Sequence, residues 1–390
     1  MGVKILSLYD GMACGMIAMQ LADVEVESYD AYEIDKYAIK TAQHNFPMIK
    51  EHGDVFGADF TQYEGVDFGI GGSPCTHWSI AQTKNRETTV NRDSKGNVLL
   101  HQSGIGTELF SQFLRMLSEA KPKFFIYENN KSMSKEIRTA ITECFGFEPT
   151  EINSALVSAQ NRQRLYWVGK RNPDGTYSQV PVEQPEDRGI LLRDIVENGV
   201  VWQGKSYNLT TRCCGAIPED TLKRHRHTMV AVPTPIEYSP LDNCDVVITD
   251  NNIRCSYKDC SGTAMGYSVY FDDVKSPTVI SGHAAKMKII ERVSDKKQHP
   301  VYEVRNGLIT IKGKQYPIKL KDGYYIIRKL TVSECKRLQT VPEWYEFPVS
   351  NSQAYKMLGN GWTCEVICHL INSCLKPADA LPGQIGLWGF

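Results

Sequence analysis

The sequence predicts an α/β chain, a doubly wound sheet with a smaller β-rich insertion towards the C-terminal end. Three observations predict it. The apolar run Val3 to Tyr9 leads through a glycine-bearing turn into a helix-like segment. Further short runs lead to acidic residues: Glu33 after Val26–Tyr32, Asp54 at a third turn, and Glu128 after the apolar Phe124–Tyr127. Beyond Gly169 the composition shifts to short β-like runs separated by turns. Strands alternating with helices build a parallel sheet, and ligands gather at the carboxyl ends of such strands.

The opening turn is Asp10-Gly11-Met12-Ala13-Cys14-Gly15, and Met16 to Leu21 reads as the start of a helix. Strand, glycine turn and helix form the first part of a nucleotide-type unit, because glycine lets the backbone approach a ligand closely. The spacing is neither GxGxxG nor a P-loop. Glu33 lies at the end of the second strand, about 20 residues after the turn, where an acid can accept from a ribose hydroxyl pair. Asp54, in Gly53-Asp54-Val55, can accept from an adenine amino group. The plain alternative is an α/β domain whose loops carry acids.

Pro74-Cys75 stands in Gly71-Gly72-Ser73-Pro74-Cys75-Thr76-His77-Trp78-Ser79, after the apolar run Val66–Ile70 and before a long polar segment. A structural thiol belongs inside the apolar run; a nucleophile belongs at the strand exit, where this one is. Phe124 to Asn130 is a buried-type strand ending in the carboxylate of Glu128. Gln160, Arg162 and Arg164 alternate before the strand-like Leu165–Val168, so an extended backbone would point them to one face. A solvated strand end for Glu128 and a charged edge for the two arginines are the bland readings.

At 390 residues the chain can bury a full core and is expected to hold two domains. Its net charge of -1 lacks the global basicity of many nucleic-acid binders, so any such binding must come from local patches. Candidate patches are Lys84 to Lys95, Arg212, Lys223 to His227 and Lys286 to Lys288; solvated surface is the other reading of each. No apolar stretch approaches a membrane span and no secretory leader opens the chain, which predicts a cytoplasmic protein whose 12 cysteines are reduced. Cys213, Cys214, Cys244, Cys255 and Cys260 match no zinc spacing, and no metal is expected.

Taken together, these clusters resemble the S-adenosylmethionine-dependent cytosine-5 DNA methyltransferase family. Pro74-Cys75 with Ser79 matches its nucleophile motif, Glu128-Asn129-Asn130 its Glu-Asn-Val motif, and Gln160, Arg162 and Arg164 its Gln-x-Arg-x-Arg motif. Arg328 to Thr331, Glu334, Arg337 to Gln339 and Pro342 resemble the ninth motif, and Gly359-Asn360-Gly361 the tenth. The likeness runs from residue 4 to about 170 and from about 327 to 370, is closest to bacterial and phage enzymes, and touches the animal de novo branch. Thr76 replaces the usual Gln, Asn130 the usual Val and Gly361 the usual Ser or Ala, and the opening turn has Tyr9 for Phe.

The resemblance implies methyl transfer from S-adenosylmethionine to carbon 5 of a cytosine extruded from double-stranded DNA. It implies a catalytic set of Cys75 as nucleophile, Glu128 at ring nitrogen 3, and Arg162 and Arg164 holding the base oxygen, the thiolate or neighbouring loops. It places the cofactor at Tyr9, Asp10, Gly11, Gly15, Glu33, Ile34, Asp54, Val55, Pro74, Leu109 and Asn360. DNA contacts would come from Ser79, Lys84, Arg86 and Arg92, in a loop from Thr76 to Ser103, and from Arg212, Lys223, Arg224 and Arg226. The implied domains are 1–175 with 327–390 for a Rossmann-like catalytic part and 176–326 for target recognition. Rival readings are the same chemistry on tRNA, an inactive paralog that binds DNA or a partner, and transfer of a modified methyl group. The expected setting is a bacterial or phage-infected cell, in a restriction-modification context, with no obligate protein partner.

Overall fold

The computed structural model describes residues 2–74, 78, 87–100, 103–233, 244–248, 252–258, 264–271, 288–290 and 301–376. Its elements begin with β1 (Val3–Leu8), α1 (Cys14–Leu21), β2 (Val26–Tyr32), α2 (Lys36–Asn45), β3 (Lys50–Glu51) and β4 (Phe68–Gly71). There follow α3 (Ile105–Ala120), β5 (Phe124–Asn130), α4 (Lys135–Phe145), β6 (Thr150–Asn153), β7 (Gln163–Arg171) and β8 (Tyr177–Gln179). The strands form one sheet in the order β3-β2-β1-β4-β5-β7-β6, with β8 on β7. β1 to β5 pair in parallel, and β7 runs against β5 and β6.

That order contains a switch point. β1 connects to β2 on one side and pairs β4 on the other, and Leu8 is in register with both Tyr32 and Gly71. The carboxyl ends of three strands therefore open at one level, where a doubly wound sheet leaves a crevice. Ile5, Leu6 and Leu8 are at most 1 % exposed, the near-continuous apolar run of a strand covered on both faces. Side-chain caps start the helices: Asp35 accepts from Tyr37 N on α2 and Ser134 from Ile137 N on α4, each worth about 1 kcal/mol. Under the edge, Phe110, Phe113, Phe125, Tyr127, Phe145 and Trp167 interlock, with Phe113–Tyr127 and Phe125–Phe145 centroids both 4.9 Å apart. These rings lock α3, α4, β5 and β7 together, so residues at their ends start from a stiff base.

The remaining elements are α5 (Pro218–Arg224), β9 (Met229–Pro233), β10 (Cys244–Ile248), β11 (Asn252–Lys258), β12 (Ala264–Phe271) and β13 (Lys288–Ile290). Then come β14 (Val301–Arg305), β15 (Leu308–Ile311), β16 (Lys314–Pro317), β17 (Gly323–Lys329), α6 (Val332–Leu338), α7 (Asn351–Asn360) and α8 (Cys364–Leu375). Two smaller sheets, β10-β11-β12-β13 and β16-β15-β14-β17-β9, make up the strand-rich part. The β14–β15 hairpin turns at Asn306-Gly307, both at positive φ (53° and 70°), as the dipeptide predicts. Thr278–Ile280, a further strand-like run of the sequence, lies outside the described residues.

The chain divides into two compact units. One holds residues up to Glu197, Gln203–Met229 and the chain from Lys329 on; the other holds Asn198–Trp202 and Val230–Arg328. The boundary expected at 176 thus falls later, because residues 203–229 are tied to the first unit by long-range polar contacts. Lys205 Nζ donates to the carbonyls of Ala155, Ser158 and Ile190 at 2.8, 3.1 and 2.6 Å, and Leu209 N donates to Gln160 Oε1 at 2.8 Å. Arg212, Lys223, Arg224 and Arg226, expected in the recognition domain, belong to the first unit.

Thr331, with Glu334 three residues on, reads in the sequence as a helix start, and the capping box is formed at the start of α6. Ser352 to Leu375 reads in the sequence as one longer helical stretch; it is instead two helices, α7 and α8, broken at Gly361-Trp362-Thr363. α8 packs on α1 and β7, returning the C-terminal part to the first unit.

Candidate active site

The half of the edge where the cofactor is expected is a turn under strain. Tyr9, Gly11 and Ala13 all take positive φ (60°, 62° and 58°), which costs a non-glycine residue on the order of 1–3 kcal/mol. Gly11 adopts this backbone freely, and a Cβ there would meet open space. Gly15 is needed for a different reason. A Cβ there would lie 2.4 Å from Ile70 Cδ1 and 2.7 Å from Tyr29 OH, so glycine lets α1 press on the sheet.

Glu33 closes the turn. Its Oε2 accepts from Gly11 N at 2.9 Å, and its Oε1 accepts from Ile34 N and Asp35 N, both at 2.8 Å. Asp10 Oδ1 accepts from Ser7 Oγ (2.6 Å) and Tyr29 OH (2.5 Å), while Oδ2 is buried with no hydrogen-bond partner among the described residues. Burial pushes the Asp10 carboxyl up to about 6 against the pull of those two hydroxyls. Glu51, at the end of β3, is a third acid that sequence reasoning passed over. Both its oxygens are buried without a hydrogen-bond partner among the described residues, and burial, with Asp10 and Glu33 nearby, pushes it up to about 8.

The other expected cofactor residues divide. Ile34 is 75 % exposed and Asp54 is exposed, with Asp54 Oδ1 accepting from Phe56 N at 3.1 Å. Val55 is buried and its carbonyl takes Arg115 Nη2 at 2.8 Å. Tyr9 packs on the aromatic core and its hydroxyl donates to Leu109 O at 2.7 Å, so this ring is already engaged in joining the turn to α3. Pro74 is exposed beyond the end of β4, and Asn360 is exposed at the end of α7.

The second half of the edge centres on Glu128, near the end of β5. Its side chain is 12 % exposed, Arg164 Nε lies 2.9 Å from Oε1, and Trp362 Nε1 donates to Oε2 at 3.0 Å. The β4 exit is tied to the same strand: Ser73 Oγ pairs with Tyr127 OH at 2.6 Å, and Asn129 Nδ2 donates to Ser73 O at 3.2 Å. The chain therefore leaves Ser73-Pro74 beside Glu128, and a Cβ on Gly72 would lie 3.0 Å from Glu128 Oε2. Cys75 and Ser79 lie outside the described residues.

The expectation of one face for Gln160, Arg162 and Arg164 is corrected. β7 begins only at Gln163, and the three side chains go to two places. Gln160 is fully buried and donates to Leu338 O at 3.0 Å. Arg162, 4 % exposed, donates to Asn208 Oδ1 (2.9 Å), Leu209 O (3.2 Å) and Gly361 O (2.8 Å). These two fix the 208–209 and 338–361 segments; only Arg164 reaches Glu128.

The profile of the C-5 cytosine-specific DNA methylases matches residues 3–376. The chain belongs to that family. It is 26 % identical over 441 aligned positions to the orphan methyltransferase M.SPRI of Bacillus phage SPR, covering 94 % of this chain and 95 % of that one. It is 25 % identical to the type II methyltransferase M.HpaII of Haemophilus parainfluenzae, over 91 % of this chain and 84 % of the relative. A DNMT2 from Spodoptera frugiperda superposes with a TM-score of 0.53 at 16 % identity, covering 96 % of this chain and 100 % of that one, a likeness of fold.

In this methylase the described part of the 76–103 loop is folded. Residues 92–98 form a small antiparallel turn, Arg92↔Val98, around Asp93–Gly96. It is fastened by Val90 N to Glu136 Oε1 (2.9 Å), Asn91 N to Ser103 Oγ (2.7 Å) and an Arg92–Glu143 ion pair of 2.9 Å. Glu87 accepts from both Trp78 Nε1 and Gly106 N at 3.0 Å, joining the loop to the start of α3. Arg92, expected at DNA, is thus engaged on α4. Lys84 and Arg86 lie outside the described residues, while Arg212, Lys223, Arg224 and Arg226 line the surface of the first unit. No described helix is long and apolar enough to cross a membrane.

Trp362 is the residue that sequence reasoning missed at the centre of the site. It follows Gly359-Asn360-Gly361 directly, but a tryptophan inside an apparent helix carries no signal of its destination.

Proposed function

We propose that this chain transfers a methyl group to carbon 5 of cytosine in double-stranded DNA, using S-adenosylmethionine, with the target base extruded from the duplex. The observation that carries the reading is Glu128, poorly accessible and held from both oxygens beside the Ser73-Pro74 exit that leads into Cys75.

The residues of the first half suit an adenosyl cofactor. They are acceptors set at the carboxyl ends of β1 to β3, and a nucleoside offers donors there. Glu33 would take ribose hydroxyls on its remaining lone pairs, Asp54 the adenine amino group, and exposed Ile34 the adenine face. The orphaned Asp10 Oδ2 and the open space over Gly11 fit a polar group settling on the turn. Bound there, S-adenosylmethionine supplies an electrophilic methyl on a sulfonium.

Cys75 would attack carbon 6 of the ring, forming a sulfur–carbon bond and placing the electron pair at carbon 5. Glu128 would face ring nitrogen 3 and stabilise the charge that addition sends there, with Arg164 fixing its plane. Carbon 5 would then bond the methyl carbon as the methyl–sulfonium bond breaks and S-adenosylhomocysteine departs, and loss of the carbon-5 proton to solvent would return the electrons and expel the thiolate. Extrusion of the base costs a few kcal/mol, offset by contacts in the pocket. The unit of 198–202 and 230–328 would select the target sequence. An inactive binding paralog would have no use for a desolvated carboxylate held in this manner.

A duplex carrying 5-fluorocytosine at the target tests the reading, since fluorine cannot leave as a proton does. Wild type should form a denaturation-resistant adduct on Cys75, and Cys75→Ala none, with cofactor binding retained. An adduct mapped by mass spectrometry to another cysteine would overturn it.

A further inference from the structure

Glu128 is clamped, and the second jaw is Trp362. The indole N–H reaches Oε2 at 3.0 Å from 234 residues away, opposite Arg164 Nε at Oε1. Trp362 is itself flanked by pinned main chain. On one side Gly361 O accepts from Arg162 Nη2 (2.8 Å) and Gln339 Nε2 (3.1 Å). On the other, the Thr363 hydroxyl is buried between Ser154 Oγ (2.8 Å) and Gln339 Oε1 (2.9 Å). The contact abuts the β4 exit without a side chain between: a Cβ on Gly72 would lie 3.0 Å from Glu128 Oε2 and 3.4 Å from Trp362 Nε1. Three separate segments thus converge to place one N–H on one carboxylate oxygen.

We propose that Trp362 is a positioning residue for methyl transfer, setting the rotation of the Glu128 carboxylate towards the extruded base. The proposal rests on the reading of Glu128 as the group that meets ring nitrogen 3. Indole and guanidinium are donors only. Neither can accept a proton from Glu128, so both orient the carboxyl group without competing for the proton it shares with the base. With Arg164 alone, the carboxylate could pivot about one anchored oxygen. With both jaws closed its plane is set, and one lone pair on each oxygen stays directed away from the clamp. Orientation of this kind acts on the rate of the chemical step rather than on binding.

The decisive variant is Trp362→Phe, which keeps the aromatic bulk and removes only the N–H. The single-turnover methylation rate should fall roughly tenfold or more, the size of a lost hydrogen bond to a charged group. Affinity for S-adenosylhomocysteine by calorimetry, affinity for target duplex and Tm should remain at wild-type values. An unchanged rate would overturn the proposal. So would a loss of rate matched by losses in Tm or in either affinity, which is the mark of packing. Glu128→Gln, measured in parallel, separates the two levels of inference: if it methylates normally, the role of Glu128 fails, and if only Trp362→Phe is silent, the clamp fails.

Discussion

The two halves of the sheet edge hold their acids by opposite means. Beside β1 and β2, Glu33 is held by three main-chain N–H groups, two of them from the residues that follow it. Beside β5, the partners of Glu128 among the described residues are side chains, one on the next strand and one from the break between α7 and α8. Backbone donors cannot move without remodelling the turn, so Glu33 is part of the scaffold that would receive the cofactor. Side-chain donors hold Glu128 in place yet leave the strand independent of it. One acid should therefore matter to fold and binding together, and the other to chemistry alone.

Glu128→Gln gives the largest expected effect. The single-turnover rate should drop by roughly 10²–10⁴, the usual contribution of a positioned acid or base, with Tm and cofactor affinity unmoved. A parallel loss of cofactor affinity would erase the distinction between the halves. Glu33→Ala should weaken S-adenosylmethionine binding by about 1–3 kcal/mol and also lower Tm, because the N–H groups of Gly11, Ile34 and Asp35 lose their acceptor. Calorimetry showing weaker binding at an unchanged Tm would show that the turn does not depend on this carboxylate.

Asp10 sharpens the cofactor side through pH. Its carboxyl is pushed up to about 6, above the ordinary unfolded value of about 3.9, so between those values the native state binds more protons than the unfolded chain. Stability contributed by this group is therefore full below pH ~4 and is lost as pH rises through ~6, a change on the order of 3 kcal/mol. Asp10→Asn keeps an acceptor for Ser7 and Tyr29 and should flatten that slope in denaturant titrations across the window. A slope identical to wild type would place the effect elsewhere. The smallest effect is expected far from both acids: Lys223→Ala or Arg226→Ala should reduce the salt dependence of duplex binding by about one unit of slope each if the side chain meets a phosphate. Stability should not change, since both are exposed.

Much of the first half was legible because its contacts are local. The Gly11 turn, Glu33 at a strand end and the Thr331–Glu334 box all use partners within a few residues or at a spacing set by one βαβ unit. Glu128 and Arg164 were legible as residues, since an apolar run ending in an acid marks a strand exit. Less legible was the division of labour between the arginines. Alternation put Arg162 and Arg164 on one face, but the strand starts at Gln163 and Arg162 turns to main-chain carbonyls that residues near 209 and 361 supply. Asp54, Ile34 and the exposed basic residues remain candidates whose partners would be ligands.

By itself the sequence determined the opening strand–turn–helix unit, the doubly wound class, the acids at strand ends and the β-rich insertion, through apolar runs, turn chemistry and spacing along the chain, and it carries the family's motifs as a likeness of residues. Only the tertiary structure decided that residues 203–229 belong to the first unit, that the stretch after Ser352 breaks at Gly361-Trp362, and that Trp362 closes on Glu128. The physical reason is the same in all three. A hydrogen bond between residues far apart in sequence leaves no periodic trace, and it exists only once the packed sheet has brought both ends to the same edge.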